Sequence, residues 1–257
     1  AAGLDACTLA NNHVLDWGKA GLRDTLHTLA EAGIATCGAG VDANQAAQPA
    51  AIDLAAGGRV LVFGFADASS GVPRDWAASA EEPGVNLLPD LSPGTAERVA
   101  GKISAERQPG DIVVASIHWG GNWGHEVPTE QARFARRLID AGISIVHGHS
   151  SHHAKALELY GNGLILYGAG DFLNDYEGIG GHEDYRDDLV LMIWPELDGD
   201  SGAVGACTLT PLRLRNMRLV QPAESEVRWL AQTLARQSRR FGTNVEKMAD
   251  GRLAVTG

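Results

Sequence analysis

Two short apolar runs, DIVVASI (111–117) and ISIV (143–146), each end on a histidine, and a helical pattern lies between them. That alternation constrains the fold more than any other feature, because runs of this length bounded by turn signals read as buried strands. The intervening segment follows Pro128. Its apolar face is Phe134, Ala135, Leu138 and Ile139, with Arg133, Arg136 and Arg137 outside it. The alternation extends upstream. Leu4–Ala10 reads as a short buried strand ending at Asn11-Asn12-His13. In GKAGLRDTLHTLAEAG (18–33), Leu22, Leu26 and Leu29 recur at helical spacing and Gly33 marks a stop. Ile34–Cys37 and Arg59–Ala66 read as strands, and residues 95–107 as a helix. Ser69–Pro93 is rich in Gly, Pro, Ser and Asp, which predicts a long loop of the kind that often serves as a lid or binding segment.

The second half changes character. Ala156–Tyr160, Leu164–Tyr167, Leu189–Trp194 and Ala206–Leu214 are strand-like, and turn signals separate them, which predicts antiparallel strands. Val227, Leu230 and Leu234 mark a late helix, with Glu224 and Glu226 at its start and Arg236, Arg239 and Arg240 near its end, as the helix dipole favours. No linker divides the 257 residues, so one α/β domain over 1–257 is expected, with helices packed outside two sheets. A net charge of −11 argues against nucleic acid or an anionic membrane surface as partner. Cys7, Cys37 and Cys207 are far apart and form no CxxC pair, so no disulfide framework or thiolate zinc site is expected, and Cys7 and Cys37, in the strand-like stretches DACTLA and IATCGAG, read as small buried thiols. The chain opens AAGLDACTLANNH, without Met and already entering a strand, which reads as the interior of a longer protein.

Three polar loops follow strands: Asn11-Asn12-His13, His118 to His125, and His147-Gly148-His149-Ser150-Ser151-His152-His153. In α/β sheets ligands collect beyond the carboxyl ends of strands, so these loops are expected to meet at one site. Imidazole nitrogens with amide or carboxylate oxygens suit Zn, Mn, Fe or Ni. Two such ions can clamp a phosphoryl group and activate water, with a histidine as proton donor. Each residue also has a plainer reading. His13 could cap a helix, and His118 could be a satisfied core histidine. The pleat should point His147 and His153 differently from their neighbours. His125 is expected to be exposed, and His27 and His182 to be ordinary surface residues. Trp119 and Trp123 could wall a pocket or pack on the core.

Taken together, LANNHVLDWGKAGLRDTL (9–26), SIHWGGNWGHEVPTEQ (116–131), IVHGHSSHHAKALELY (145–160) and YGAGDFLNDYEG (167–178) resemble the CapA family. That family is named for capsule and poly-γ-glutamate biosynthesis and belongs to the calcineurin-like metallophosphoesterases. The resemblance covers essentially the whole chain and implies an α-β-β-α sandwich of two mixed sheets, with the first strands missing. It implies two divalent transition-metal ions (Mn, Fe or Zn), with Asn12, His118, His149 and His152 as ligands and His13 as general acid. Asp16, His147, His153, Asp171 and Asn174 would support them. The superfamily pattern is Asp-x-His, Gly-Asp, Gly-Asn-His-Glu/Asp, a lone His and Gly-His-x-His. Here Asn11 and Val14 replace the usual Gly and acid, the last motif has one extra residue (GHSSH), so that either His152 or His153 would be its second ligand, and the acidic Asp-x-His and Gly-Asp elements are expected upstream of the residues present here. Asp175 and Tyr176, with Asp171 and Asn174, form a further polar loop that the resemblance places near the site; Asp187–Asp188 precedes a strand. The implied activity is phosphoesterase-type hydrolysis on a polymer, phosphoester or peptide substrate, within a capsule or polyglutamate synthesis complex. Peptide epimerisation of the lasso-peptide type, or a non-catalytic scaffold role, are the alternatives.

Overall fold

Parallel pairing of the two histidine-terminated strands organises the molecule. The computed structural model describes residues 3–55, 57–174 and 180–257. In chain order the strands are β1 (Ala6–Thr8), β2 (Ala35–Cys37), β3 (Ala39–Gly40), β4 (Ala50–Asp53), β5 (Arg59–Asp67), β6 (Gly84–Val85), β7 (Leu87–Leu88) and β8 (Ile112–His118). They continue with β9 (Ile145–His149), β10 (Leu157–Tyr160), β11 (Gly163–Leu166), β12 (Leu189–Leu197), β13 (Val204–Arg215), β14 (Arg218–Val220), β15 (Asn244–Lys247) and β16 (Leu253–Thr256). The helices are α1 (Gly18–Glu31), α2 (Ala43–Ala47), α3 (Pro93–Glu106), α4 (Thr129–Asp140) and α5 (Glu224–Ser238).

The central sheet has the order β10-β11-β9-β8-β5-β4, with β7 added beside β5. Strands β5, β8, β9 and β11 run parallel, while β4 and β10 are antiparallel edges. A second sheet, β12-β13-β16-β15 with β14 on β13, is antiparallel throughout. β1 pairs with β2 in a small parallel sheet, and β3 with β6 in an antiparallel one.

Strand alternation sorts the residues of β8. Val113, Ala115 and Ile117 share a core with Val99 and Ile103 of α3 and with Phe134, Leu138 and Ile139 of α4. Ser116 and His118 therefore face the other side. On that side Ile145, Leu157, Leu164 and Leu166 pack with Leu189, Leu191, Leu209 and Leu253 of the second sheet and with Leu230 and Leu234 of α5. The layers are thus two helices, the mixed sheet, and the antiparallel sheet with α5 sharing its apolar cluster.

The expected α/β class stands, with three differences. The second sheet is antiparallel rather than mixed, because the consecutive strands β12–β13, β13–β14 and β15–β16 each pair directly with one another; Asn216 and Met217 turn β13 into β14 at φ +53° and +54°. The β10–β11 hairpin belongs to the central sheet, since β11 continues the parallel order beside β9. The segment 69–93, expected as a loop, carries β6, β7 and two short 3-10 turns. Among the described residues no helix is long and apolar enough to cross a membrane. Cys37 is a buried free thiol, as expected; Cys7, expected to be buried, is free and half-buried, and Cys207 is a buried free thiol.

One buried charge ties α4 to the central sheet. Glu158 on β10 is 1% exposed and meets Arg136 Nη2 at 2.7 Å, while the Tyr167 hydroxyl donates to its other oxygen. Removing one partner of such a pair leaves an uncompensated buried charge. Arg136→Ala is therefore expected to lower unfolding free energy by roughly 3–5 kcal/mol, measured by urea denaturation, whereas Arg133→Ala on the exposed face should change it by less than about 0.5 kcal/mol.

Candidate functional site

Register places the histidines. His118 pairs with His149 across the β8–β9 ladder, and Ser116 with His147, so all four side chains lie on one face. The rings of His118 and His149 lie 4.9 Å apart, with Nδ1 to Nδ1 at 3.0 Å. His147 stacks on His149 at 5.4 Å and bonds Ser116 Oγ at 3.0 Å. The expectation that pleating would separate His147 from its neighbours is corrected here, because two residues along a strand return to the same face. Gly148 occupies the other face, where a Cβ would lie 2.4 Å from Trp119 Nε1.

Asn12 comes from the turn after β1. The β1–β2 pair sits hard against β5: at Gly38 (φ +85°) a Cβ would meet Ala10 Cβ at 2.7 Å and Gly64 Cα at 3.0 Å. That close approach lets Asn12 Oδ1 reach His118 Nε2 at 3.1 Å. Burial, then the proximity of His13 and His152, pushes the His118 pKa down to about 4, and burial drives His149 well below its usual range. Both rings are neutral at pH 7, and the tautomers follow. An amide oxygen only accepts, so His118 Nε2 carries the proton. His118 Nδ1 then accepts from His149 Nδ1–H. His149 Nε2 is left as a bare lone pair, buried and without a hydrogen-bond partner.

His152 has the opposite character. Its Nδ1 lies 3.0 Å from Asp171 Oδ2, and that hydrogen bond raises its pKa above the ordinary value. Asn174 Nδ2 donates to the same oxygen at 2.6 Å. His13 stands exposed at the mouth, with Nδ1 2.7 Å from Asp16 Oδ2. Asn12, His13, His118, His149, His152, Asp171 and Asn174 all line one cleft of about 570 Å³. Asp175 and Tyr176 lie outside the described residues.

The remaining candidates separate from this cleft. His153 is 1% exposed and packs against Tyr185 (4.7 Å) and His125 (4.8 Å), away from the His118–His149 pair. His125 is half-buried rather than exposed, because Gln237 Nε2 donates to its Nδ1 at 2.8 Å. Trp119 packs in the core and donates to Tyr167 O at 3.1 Å, while Trp123 stacks on His182 at 4.1 Å and also meets His152. His27 is exposed beside Glu31. Asp187 is pushed up by burial.

Sequence reasoning missed the braces. Ser70 Oγ donates to His118 O at 3.1 Å, Gly120 N donates to Ser69 Oγ at 2.9 Å, and Ser69 Oγ bonds Asp67. Ser150 Oγ donates to Gly120 O at 2.9 Å, and His152 N to Asn122 O at 3.1 Å. The signal was present: DASS (67–70) is a polar run at a strand end, like the three histidine loops.

The donors partly suit a transition metal. His149 Nε2 offers a lone pair, and neutral imidazole with an amide oxygen is borderline-donor chemistry. Among the described residues, however, no three His, Cys, Asp or Glu side chains gather into a group that could hold an ion. His118 also has both nitrogens engaged, with His149 and Asn12. The set is one corner of such a centre and does not complete it.

Comparison with known proteins bears on this geometry. A family model described as "Bacterial capsule synthesis protein PGA_cap" matches residues 1–176. The chain is 46% identical, over 97% of its length and 66% of the relative's, to a "Probable polyglutamine synthesis accessory protein" of Mycobacterium tuberculosis. It is 29% identical to "PGA biosynthesis protein CapA" of Bacillus subtilis, over 95% of this chain and 59% of that one. It is 31% identical to "Capsule biosynthesis protein CapA" of Bacillus anthracis, over 68% and 41% respectively. The chain thus spans about two thirds or less of these relatives.

Two outcomes test the electrostatics. His118, His147 and His153 are each depressed from 6.5 to about 4 by burial. The unfolded chain takes up protons between about pH 6.5 and 4 that the folded chain refuses, so stability falls as pH drops through that window. His152 works against this, since its raised value adds stability on acidification. Urea unfolding from pH 7 to 5 should show a loss on the order of 1–2 kcal/mol per depressed histidine, and His147→Gln should make the fall shallower. Separately, Asp171→Asn should return the His152 pKa toward its ordinary value, as read from imidazole NMR titration; an unchanged value would mean Asp171 is not its main partner.

Proposed function

The chain belongs to the bacterial capsule synthesis protein family PGA_cap, and we propose that it serves in making a capsule or polyglutamate-type polymer by binding and cleaving an anionic substrate in its histidine cleft. The substrate class is the polymer itself, or a phosphoester or peptide precursor. One observation carries the reading: four separate chain segments bring Asn12, His13, His118, His149, His152 and Asp171 to one cleft.

The chemistry divides among these groups. His152, biased toward imidazolium by Asp171, is a cationic hydrogen-bond donor for a carboxylate or phosphoryl oxygen. His149, neutral and with a buried, unpartnered Nε2, keeps a lone pair that can accept a proton. Asn12 sets the tautomers of both buried rings through His118. His13, oriented by Asp16 and open to solvent, is placed to give a proton to a leaving oxygen or nitrogen and recover it from water.

The divalent metal that the family resemblance implies would act as Lewis acid and water activator. It would need acidic donors beyond those gathered here, so no step is derived through it. Metal analysis of the longer protein tests that part. Bound Zn, Mn or Fe that His118→Ala reduces at least tenfold supports it.

The main test is polymer yield in a producing cell that carries substituted protein. His118→Ala and His152→Ala are each expected to lower yield at least tenfold, with the protein still folded by circular dichroism. Unchanged yield, with stoichiometric binding to the synthesis complex retained, would sink the catalytic reading in favour of a scaffold. Deuterium entering a peptide from heavy water without bond cleavage would replace hydrolysis by epimerisation.

A further inference from the structure

Among the described residues, four that are not glycine have positive φ. Arg186, Asn216 and Met217 lie at +53° to +54°, inside the small left-handed well that L-residues visit in turns. Ser150 lies at +118°, outside it. Such an outlier persists only where its surroundings over-determine it. Here they do. On one side of Ser150, His149 is fixed by the β8–β9 ladder, and its carbonyl accepts from Trp119 N at 3.0 Å. On the other, His152 N is tied to Asn122 O at 3.1 Å, and Ser151 Oγ donates to His153 O at 2.9 Å. The Ser150 hydroxyl itself holds Gly120 O at 2.9 Å. Gly120 in turn is held by Ser69 Oγ, next to the Ser70 hydroxyl that holds the His118 carbonyl.

We propose that Ser150 is a positioning residue: its strained backbone turns the chain sharply so that His149 points at His118 while His152 points at Asp171, and its hydroxyl locks that turn to the β8 loop. A relaxed residue would sweep more gently, and the two histidines would not line one cleft. Glycine, the residue that tolerates this backbone best, is absent here although the chain uses it at many other positive-φ positions. The hydroxyl anchor accounts for that choice. The inference rests on the cleft being the binding site, and the experiment separates the two.

Ser150→Gly relieves the strain and deletes the anchor; Ser150→Ala keeps the strain and deletes the anchor. The Gly variant should melt no lower than the parent, yet exchange the His152 amide hydrogen at least tenfold faster. Its affinity for a short glutamate oligomer should fall at least tenfold. The Ala variant should melt lower and show the same faster exchange. A merely structural serine would move melting and exchange in the same direction in both variants. Parental His152 exchange in Ser150→Gly, or a lower melting temperature for it, overturns the proposal. If the parent protein fails to bind the oligomer while the exchange pattern holds, the substrate reading falls and the role of Ser150 stands.

Discussion

In-register parallel pairing of β8 with β9 is the constraint on which the rest depends. Ser116 faces His147 and His118 faces His149 because the two strands run in step from Val114 opposite Ile145 and stop together. A one-residue slip would flip one row to the opposite face of the sheet and separate both pairs. The register is held from the helix side. Val113, Ala115, Ile117 and Val146 are fully buried against α3 and α4, so only one alignment satisfies the core and assembles the imidazoles.

The cleft combines two electrostatic regimes. At its base, burial strips protons from His118 and His149 and leaves hydrogen-bond direction to be set by the Asn12 amide. At its wall, Asp171 does the reverse for His152. A site with neutral bases beside a cation-biased donor can bind an anion and move protons at one pH, because the same side-chain type is tuned in two directions. That tuning is local, coming from burial in one case and from a loop carboxylate in the other.

The braces behind the histidines share a logic with the strained turn at Ser150. Backbone carbonyls at strand ends leave the sheet without ladder partners and must find other donors. Ser70 meets the carbonyl of His118, and Ser150 that of Gly120. Each bond joins one loop to another, so the loops are held as a unit rather than individually. Gly38 and Gly148 contribute by having no side chain where backbones and Trp119 approach closely.

Sequence alone determined the helix–strand alternation, the strands that deliver His118 and His149, the α4 face, and the gathering of polar loops at strand ends. These follow from periodicity and turn chemistry, which are local. It also carried the family, through motifs kept in order along the chain. It set His149 and His152 apart from His147 and His153 but could not place the latter two, because facing depends on which residue each one pairs with across the sheet. Tertiary structure placed His147 beside Ser116, sent His153 into a separate aromatic cluster, and joined the β10–β11 hairpin to the central sheet. It alone fixed the lone pair on His149 Nε2 and the strain at Ser150. Both arise from contacts between segments distant in sequence, which no local pattern encodes.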